Sequence, residues 1–253
     1  MNIPYQPIVG GRTINLHLIL EFMAFFVAFR YYVFLRQKSD DPISRDNRLS
    51  IILGAAIGAL FGSRIIAFLE NPLITLTQEA VLQLLNAKTI MGGLFGGLLG
   101  VEIVKWRIKE KNSSGDLFTL PIIVGIFIGR IGCFLTGVNE FTYGKVTTSF
   151  AGMDLGDGLK RHPIALYELL FLIFIFFCLR KSANENKLVR GDLFKVFMLG
   201  YFGFRFFIEF IKPNVFFLLG LSSIQWLSIV CFLYYQKTVI KVLRNAYSKI
   251  HLL

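Results

Sequence analysis

Seven long apolar stretches separated by short charged ones dominate this chain, at about residues 14–35, 51–69, 90–104, 117–137, 163–179, 193–211 and 217–236. Crossing the ~30 Å hydrocarbon core of a bilayer takes roughly 20 mostly apolar residues at ~1.5 Å rise each. The third and fifth stretches are short, so their flanking residues are expected to continue the helices. None alternates residue by residue, as a barrel strand must. The expectation is an all-α polytopic membrane protein, a bundle of seven transmembrane helices forming a single domain over residues 1–253. Met1–Gly11 has no basic run ahead of the first apolar stretch. That stretch is long enough to remain as a span, unlike a cleavable signal peptide.

The charges alternate along the chain. Arg36, Lys38, Arg45 and Arg48 follow the first apolar stretch, and Lys105, Arg107, Lys109 and Lys111 follow the third. Arg180, Lys181, Lys187 and Arg190 follow the fifth, and Lys237, Lys241, Arg244 and Lys249 follow the seventh. The opposite side receives Arg12, Lys88, Lys145, Lys160, Arg161 and Lys212, fewer cations spread over more residues. Cytoplasmic loops carry the excess of Lys and Arg, so the N-terminus is expected outside and the C-terminus in the cytoplasm. The net charge of +11 is thereby absorbed as a topology signal with affinity for anionic lipid. No nucleic-acid partner is expected.

Arg30, Arg64, Arg130, Lys195 and Arg205 lie within or beside apolar stretches. Lys195 and Arg30 are near enough to the inner surface to snorkel. A charge at the centre of a spanning helix costs at least ~2.5–3.5 kcal/mol, so the other three need a reason. With the orientation above, Arg64, Arg130, Arg205 and Glu209 fall in the outer halves of outward-running helices. His17, Glu21 and Glu168 fall in the outer halves of inward-running ones. All are expected at one level, either as a structural ion-pair network or as a site for an anionic amphiphile. The planar guanidinium suits the second use, because it holds phosphate bidentately and stays charged when dehydrated.

Gly54, Gly58 and Gly62 recur every four residues, as do Gly92, Gly96 and Gly100. This spacing lets two helix backbones approach closely; Gly92 and Gly93 could also present bare backbone to a ligand. The segment 138–162 lacks an apolar run and is expected to lie outside the membrane as a lid or substrate loop over the site. Asp154 and Asp157, set among glycines, read as turn formers and not as metal ligands. Pro163 suits the first turn of the helix that follows. Cys133, Cys178 and Cys231 read as small packing residues, with a covalent relay as the alternative for Cys133.

Gly129-Arg130-Ile-Gly132-Cys133-Phe-Leu-Thr136-Gly137, followed by Glu140 and Gly144, resembles the signature of the bacterial prolipoprotein diacylglyceryl transferase family. Met91-Gly92-Gly93-Leu-Phe-Gly-Gly and His162-Pro163-Ile-Ala-Leu-Tyr167-Glu168 are similar to other blocks of that family. So are Tyr201-Phe-Gly203-Phe-Arg205-Phe-Phe-Ile-Glu209-Phe, Pro213 and Gln225-Trp-Leu-Ser228, all in family order. The resemblance implies a multi-pass transferase of the bacterial inner membrane that acts in lipoprotein biosynthesis. Such an enzyme moves the diacylglyceryl group of phosphatidylglycerol to the lipobox cysteine of a preprolipoprotein, releases glycerol phosphate, and uses no metal or organic cofactor. Arg130 and Arg205 match the family's essential arginines. Glu140 and Glu209 would orient groups or handle protons beside them. Arg64, Gly92, Gly93, Gly144, His162, Glu168, His17 and Glu21 are the expected substrate-binding residues.

Three departures stand against the resemblance. Many members carry His where this chain has Met91, and Asn where it has Cys133, and an insertion separates Gly137 from Glu140. A thioether can form only after the acceptor thiol loses its proton, and Met91 cannot take it; His17 or His162 would have to substitute. These departures leave room for a different thiol acceptor, or for a non-catalytic lipid binder on the same fold. A transporter would need polar residues along the inner half of its path, and that half is apolar here.

Overall fold

The computed structural model describes residues 3–70, 87–185, 188–213, 218–240 and 244. Lys187, Lys241 and Lys249 of the charge pattern, and residue 217 at the start of the last apolar stretch, lie outside the described residues. The chain is mostly helical: α1 (Leu16–Lys38), α2 (Arg45–Glu70), α3 (Ile90–Ile108), α4 (Asp116–Thr136), α5 (Ile164–Asn184), α6 (Asp192–Ile208) and α7 (Ser223–Tyr234). α3 and α5 run on past the apolar stretches through their charged flanks, as expected. α7 starts later than the hydropathy, because Ser222 caps it. Its side chain accepts from Gln225 N while the Gln225 side chain accepts from Ser222 N, a closed capping box.

Among the described residues three helices, Leu16–Lys38, Arg45–Glu70 and Asp116–Asn139, are long and apolar enough to cross a membrane. In the first two only 11% and 17% of the apolar window is buried inside the protein. Phe22, Phe25, Phe26 and Phe29 of α1 and Leu49, Leu53, Leu60 and Phe61 of α2 are all exposed. Apolar faces on this scale, on each helix taken by itself, require a nonaqueous neighbour such as lipid.

The chain divides into two compact units. The first comprises Met1–Asp41, Ser114–Phe197 and Phe210–Pro213. Here α1 packs along α4, with Tyr32 stacked on Phe118 at 4.4 Å between ring centroids. Asp116, in the first turn of α4, accepts hydrogen bonds from Gly191 N and Phe194 N, which ties the start of α6 to the start of α4. At its other end α4 closes on Gly137, whose φ of 61° suits a residue without Cβ. A short helical turn (Gly137–Asn139) leads into segment 138–162, which holds a two-stranded hairpin, β3 (Met153–Asp154) paired with β4 (Lys160–Arg161). A second small hairpin, β1 (Ile8–Val9) with β2 (Arg12–Thr13), precedes α1.

The β3–β4 connection shows what Asp154 and Asp157 do. Asp154 Oδ1 accepts from Gly156 N at 2.8 Å and Gly158 N at 3.0 Å. Asp157 Oδ1 accepts from Leu159 N, and its Oδ2 from Arg161 Nε at 2.7 Å. Both carboxylates build the turn, in keeping with the sequence reading. Pro163 stands one residue earlier than expected, at the N-cap of α5 and not inside its first turn.

The second unit comprises Pro42–Ser113, Met198–Glu209 and Asn214–Leu253. Its centre is the α2–α3 pair, where the glycine ladder meets as the spacing requires. A Cβ on Gly62 would stand 2.7 Å from Gly96 Cα, and one on Gly54 would stand 2.9 Å from Gly100 O. Those clashes are with backbone, which cannot yield, so only glycine permits this approach. Around it Phe95 packs on Phe202 and Tyr234.

Candidate active site

In the first unit the end of α4 and the start of α5 bring Arg130, Cys133 and Glu168 together, and the start of α1 and the turn after α4 bring His17 to Glu140. Arg130, in the last two turns of α4, and Glu168, near the start of α5, form an ion pair with Nε 2.8 Å from Oε1. Both side chains are buried, Glu168 completely. One helical turn beyond Arg130, its Nη1 reaches the thiol of Cys133 at 3.6 Å. The His17 ring packs against Gly132, the residue before that cysteine. On the far side, His17 Nε2 stands 3.7 Å from Glu140 Oε1. Glu21, one turn along α1, acts electrostatically on the same imidazole.

Gly132 allows this arrangement. A Cβ there would lie 3.0 Å from His17 Nδ1 and 3.3 Å from His17 Cα, so a larger residue would push α1 off α4 at the histidine. The glycines of Gly129-Arg130-Ile-Gly132 therefore have different surroundings: a Cβ at Gly129 meets nothing within 4 Å. Cys133 also opens on a small cavity lined by Gly137, Thr142, Leu155, Pro163 and Ile164. Cys133 is buried in the core, as a packing residue is, and the contact with the Arg130 guanidinium one turn away is what the sequence reading did not supply. Of the other two thiols, Cys231 is buried as expected, while Cys178 is exposed on the outer face of α5 and packs no core.

His162 sits in the same unit, with its Nδ1 3.1 Å from the Tyr167 hydroxyl. Its main chain pairs with the loop: Gly144 N donates to His162 O and His162 N to Lys145 O. Gly144 is a close-approach glycine, since a Cβ there would stand 2.6 Å from His162 Cβ.

The second unit holds the remaining expected residues. Arg205, at the C-terminal end of α6 where a cation is favoured by the helix dipole, bonds Glu209 one turn on, and both are buried. Arg64 Nη1 donates to Ala87 O at 2.9 Å. Gly92 lies in the α2–α3 contact, where a Cβ would stand 2.8 Å from Ile66 Cβ and Thr89 Oγ1. Gly93 beside it has 3.7 Å to Ser63 Cβ. Met91 is buried and offers no proton-accepting atom.

Apolar outward faces and, in each unit by itself, a buried arginine paired with a carboxylate define a helical membrane protein. The family model for prolipoprotein diacylglyceryl transferase matches residues 7–240, nearly the whole chain. The chain belongs to that family. Similar curated proteins carry the name phosphatidylglycerol–prolipoprotein diacylglyceryl transferase. One from Nitratidesulfovibrio vulgaris is 34% identical over 71% of this chain and 66% of its own length. One from Bordetella parapertussis is 33% identical over 72% and 69%, and one from Ehrlichia canis is 34% identical over 74% and 71%. The chain thus spans about two thirds of the length of these relatives.

Proposed function

We propose that this protein transfers the diacylglyceryl group of phosphatidylglycerol to the thiol of a lipobox cysteine in a preprolipoprotein, at the outer face of a bacterial inner membrane. Seven spans, an external N-terminus and a cytoplasmic C-terminus belong to this reading and rest on the alternation of basic residues. The observation that carries the function is Arg130: a buried guanidinium held by Glu168 with a thiol beside it. Its five N–H donors in a rigid fork can serve a carboxylate and a phosphate together. In a water-poor site that charge stabilises the leaving phosphate oxygen as the carbon–oxygen bond breaks. Arg205, held by Glu209, carries the same capacity in the second unit. Glu140 and Glu209 orient or relay protons. Arg64, Gly92, Gly93, Gly144, His162, Glu168, His17 and Glu21 contribute to substrate binding. The reaction needs no metal or organic cofactor.

Complementation of a conditional transferase-deficient bacterium tests this, with Arg130→Ala as the control. Growth with the wild-type gene and none with the variant is expected. If purified protein binds phosphatidylglycerol but releases no glycerol phosphate with any lipobox peptide, the chain is instead a lipid binder on the transferase fold.

A further inference from the structure

We infer that Gln225 is a positioning residue for Arg205: its side-chain amide locks the turn of α6 that carries the guanidinium. This rests on the transferase reading and deepens the part that Arg205 plays in it.

Arg205 and Glu209 are bonded across the place where α6 ends at Ile208 and a short helical turn, Glu209–Ile211, begins. A helix cannot satisfy its last four carbonyls from within, and Phe206 O, next in the chain to Arg205, is one of them. Gln225 supplies the partner, because its Nε2 donates to Phe206 O at 3.1 Å from the first turn of α7. The other end of the same amide is also used, since Oε1 accepts from Ser222 N at 2.9 Å. An amide engaged at both ends cannot turn over without setting donor against donor. Gln225, Arg205 and Glu209 are all buried, and all lie in the second unit.

The identity of the residue points the same way. Gln225 is the third residue of α7, where a capping box takes Glu as readily as Gln and the helix dipole favours the charged one. A carboxylate would serve Ser222 N but has no proton for Phe206 O. The cap alone therefore does not account for glutamine, and the tie to α6 does. That tie fixes where the Arg205 fork points, while Glu209 holds Nη2. In the transferase reading the fork meets the charge that develops on the leaving phosphate oxygen, so a misplacement of about 1 Å would cost about 10²-fold in turnover.

The test uses full-length protein in phosphatidylglycerol vesicles with a lipobox peptide, reading glycerol phosphate release alongside the thermal melt. Gln225→Met fills similar space and removes both side-chain hydrogen bonds, whereas Ser222→Ala weakens the cap and leaves the tie to α6. Gln225→Met should lower kcat by about 10²-fold with KM for phosphatidylglycerol nearly unchanged, as for a contact realised only in the transition state. Ser222→Ala should lower the melting temperature and leave kcat close to wild type. In an Arg205→Lys background Gln225→Met should add little, because effects that run through one group do not multiply. An equal further loss in that background, or a matching loss of kcat in Ser222→Ala, would make Gln225 structural and overturn the inference. Unchanged kcat in Gln225→Met would overturn it as well. If Gln225→Met does not fold, Gln225→Glu decides, since its carboxyl donates to Phe206 O only while protonated. Its turnover relative to wild type should fall as pH rises, and a pH-independent ratio would count against the tie. Wild-type protein that releases no glycerol phosphate would refute the transferase reading and, with it, the role given to Gln225.

Discussion

Arg130 Nε lies 2.8 Å from Glu168 Oε1 across the α4–α5 contact, and the Glu168 side chain has no exposed surface. Removing one partner of such a pair strands the other charge, at about 3–5 kcal/mol. Glu168→Gln is therefore expected to lower thermal stability in detergent strongly while lowering activity. Arg130→Lys should fold better than Arg130→Ala yet stay nearly inactive, because an ammonium cannot serve carboxylate and phosphate through one planar fork. Thermal melts read alongside glycerol phosphate release separate the two effects.

The α2–α3 contact makes a prediction about two neighbouring glycines. A Cβ on Gly96 would stand 2.8 Å from Gly62 Cα, whereas one on Gly97 would meet Ala59 Cβ at 3.6 Å, an ordinary contact. Gly96→Ala should destabilise by about 1–3 kcal/mol, the range for overpacking. Gly97→Ala should stay within about 0.5 kcal/mol of wild type. Denaturation midpoints for the pair check this, and equal effects would argue against the close approach.

Some of this was legible in the sequence and some was not, for physical reasons. The glycine ladder was readable because a four-residue repeat of the smallest residue has one strong structural use. Glu209 could be matched to Arg205 from one-turn spacing alone. Which carboxylate serves Arg130 could not, since Glu21 and Glu168 were both candidates at the same expected level. The meeting of His17 with Gly132 was hidden for a further reason. α1 is apolar all round, so no polar stripe fixes its rotation against α4. The exposure of Cys178 escaped for the same cause: in lipid, an apolar face need not be an inward one.

The β3–β4 turn gives a pH dependence. The Arg161 guanidinium bonded to Asp157 holds that carboxyl below its ordinary 3.8. A depressed folded value means the contribution to stability is complete above the ordinary value and lost as pH falls through the folded one. Hydrogen exchange in residues 153–161 should therefore be protected at pH 6 and rise below about pH 4, after correction for intrinsic rates. Asp157→Asn should raise exchange at pH 6 and flatten its pH profile.

Orientation is tested by thiol chemistry, because maleimides attack the thiolate and need water to find it. Phe150, in segment 138–162, is fully exposed, and Lys111, between α3 and α4, is exposed as well. On the proposed topology these lie on opposite sides of the membrane. Phe150→Cys should be labelled by a membrane-impermeant maleimide in intact spheroplasts, and Lys111→Cys only after permeabilisation. Cys133 and Cys231 are buried. Cys178 faces outward from an apolar helix, where lipid shields it from an impermeant reagent, so the native background should stay low. Labelling of Lys111→Cys without permeabilisation would invert the chain, move the Arg130 cluster to the cytoplasmic leaflet, and exclude an exported preprolipoprotein as its acceptor.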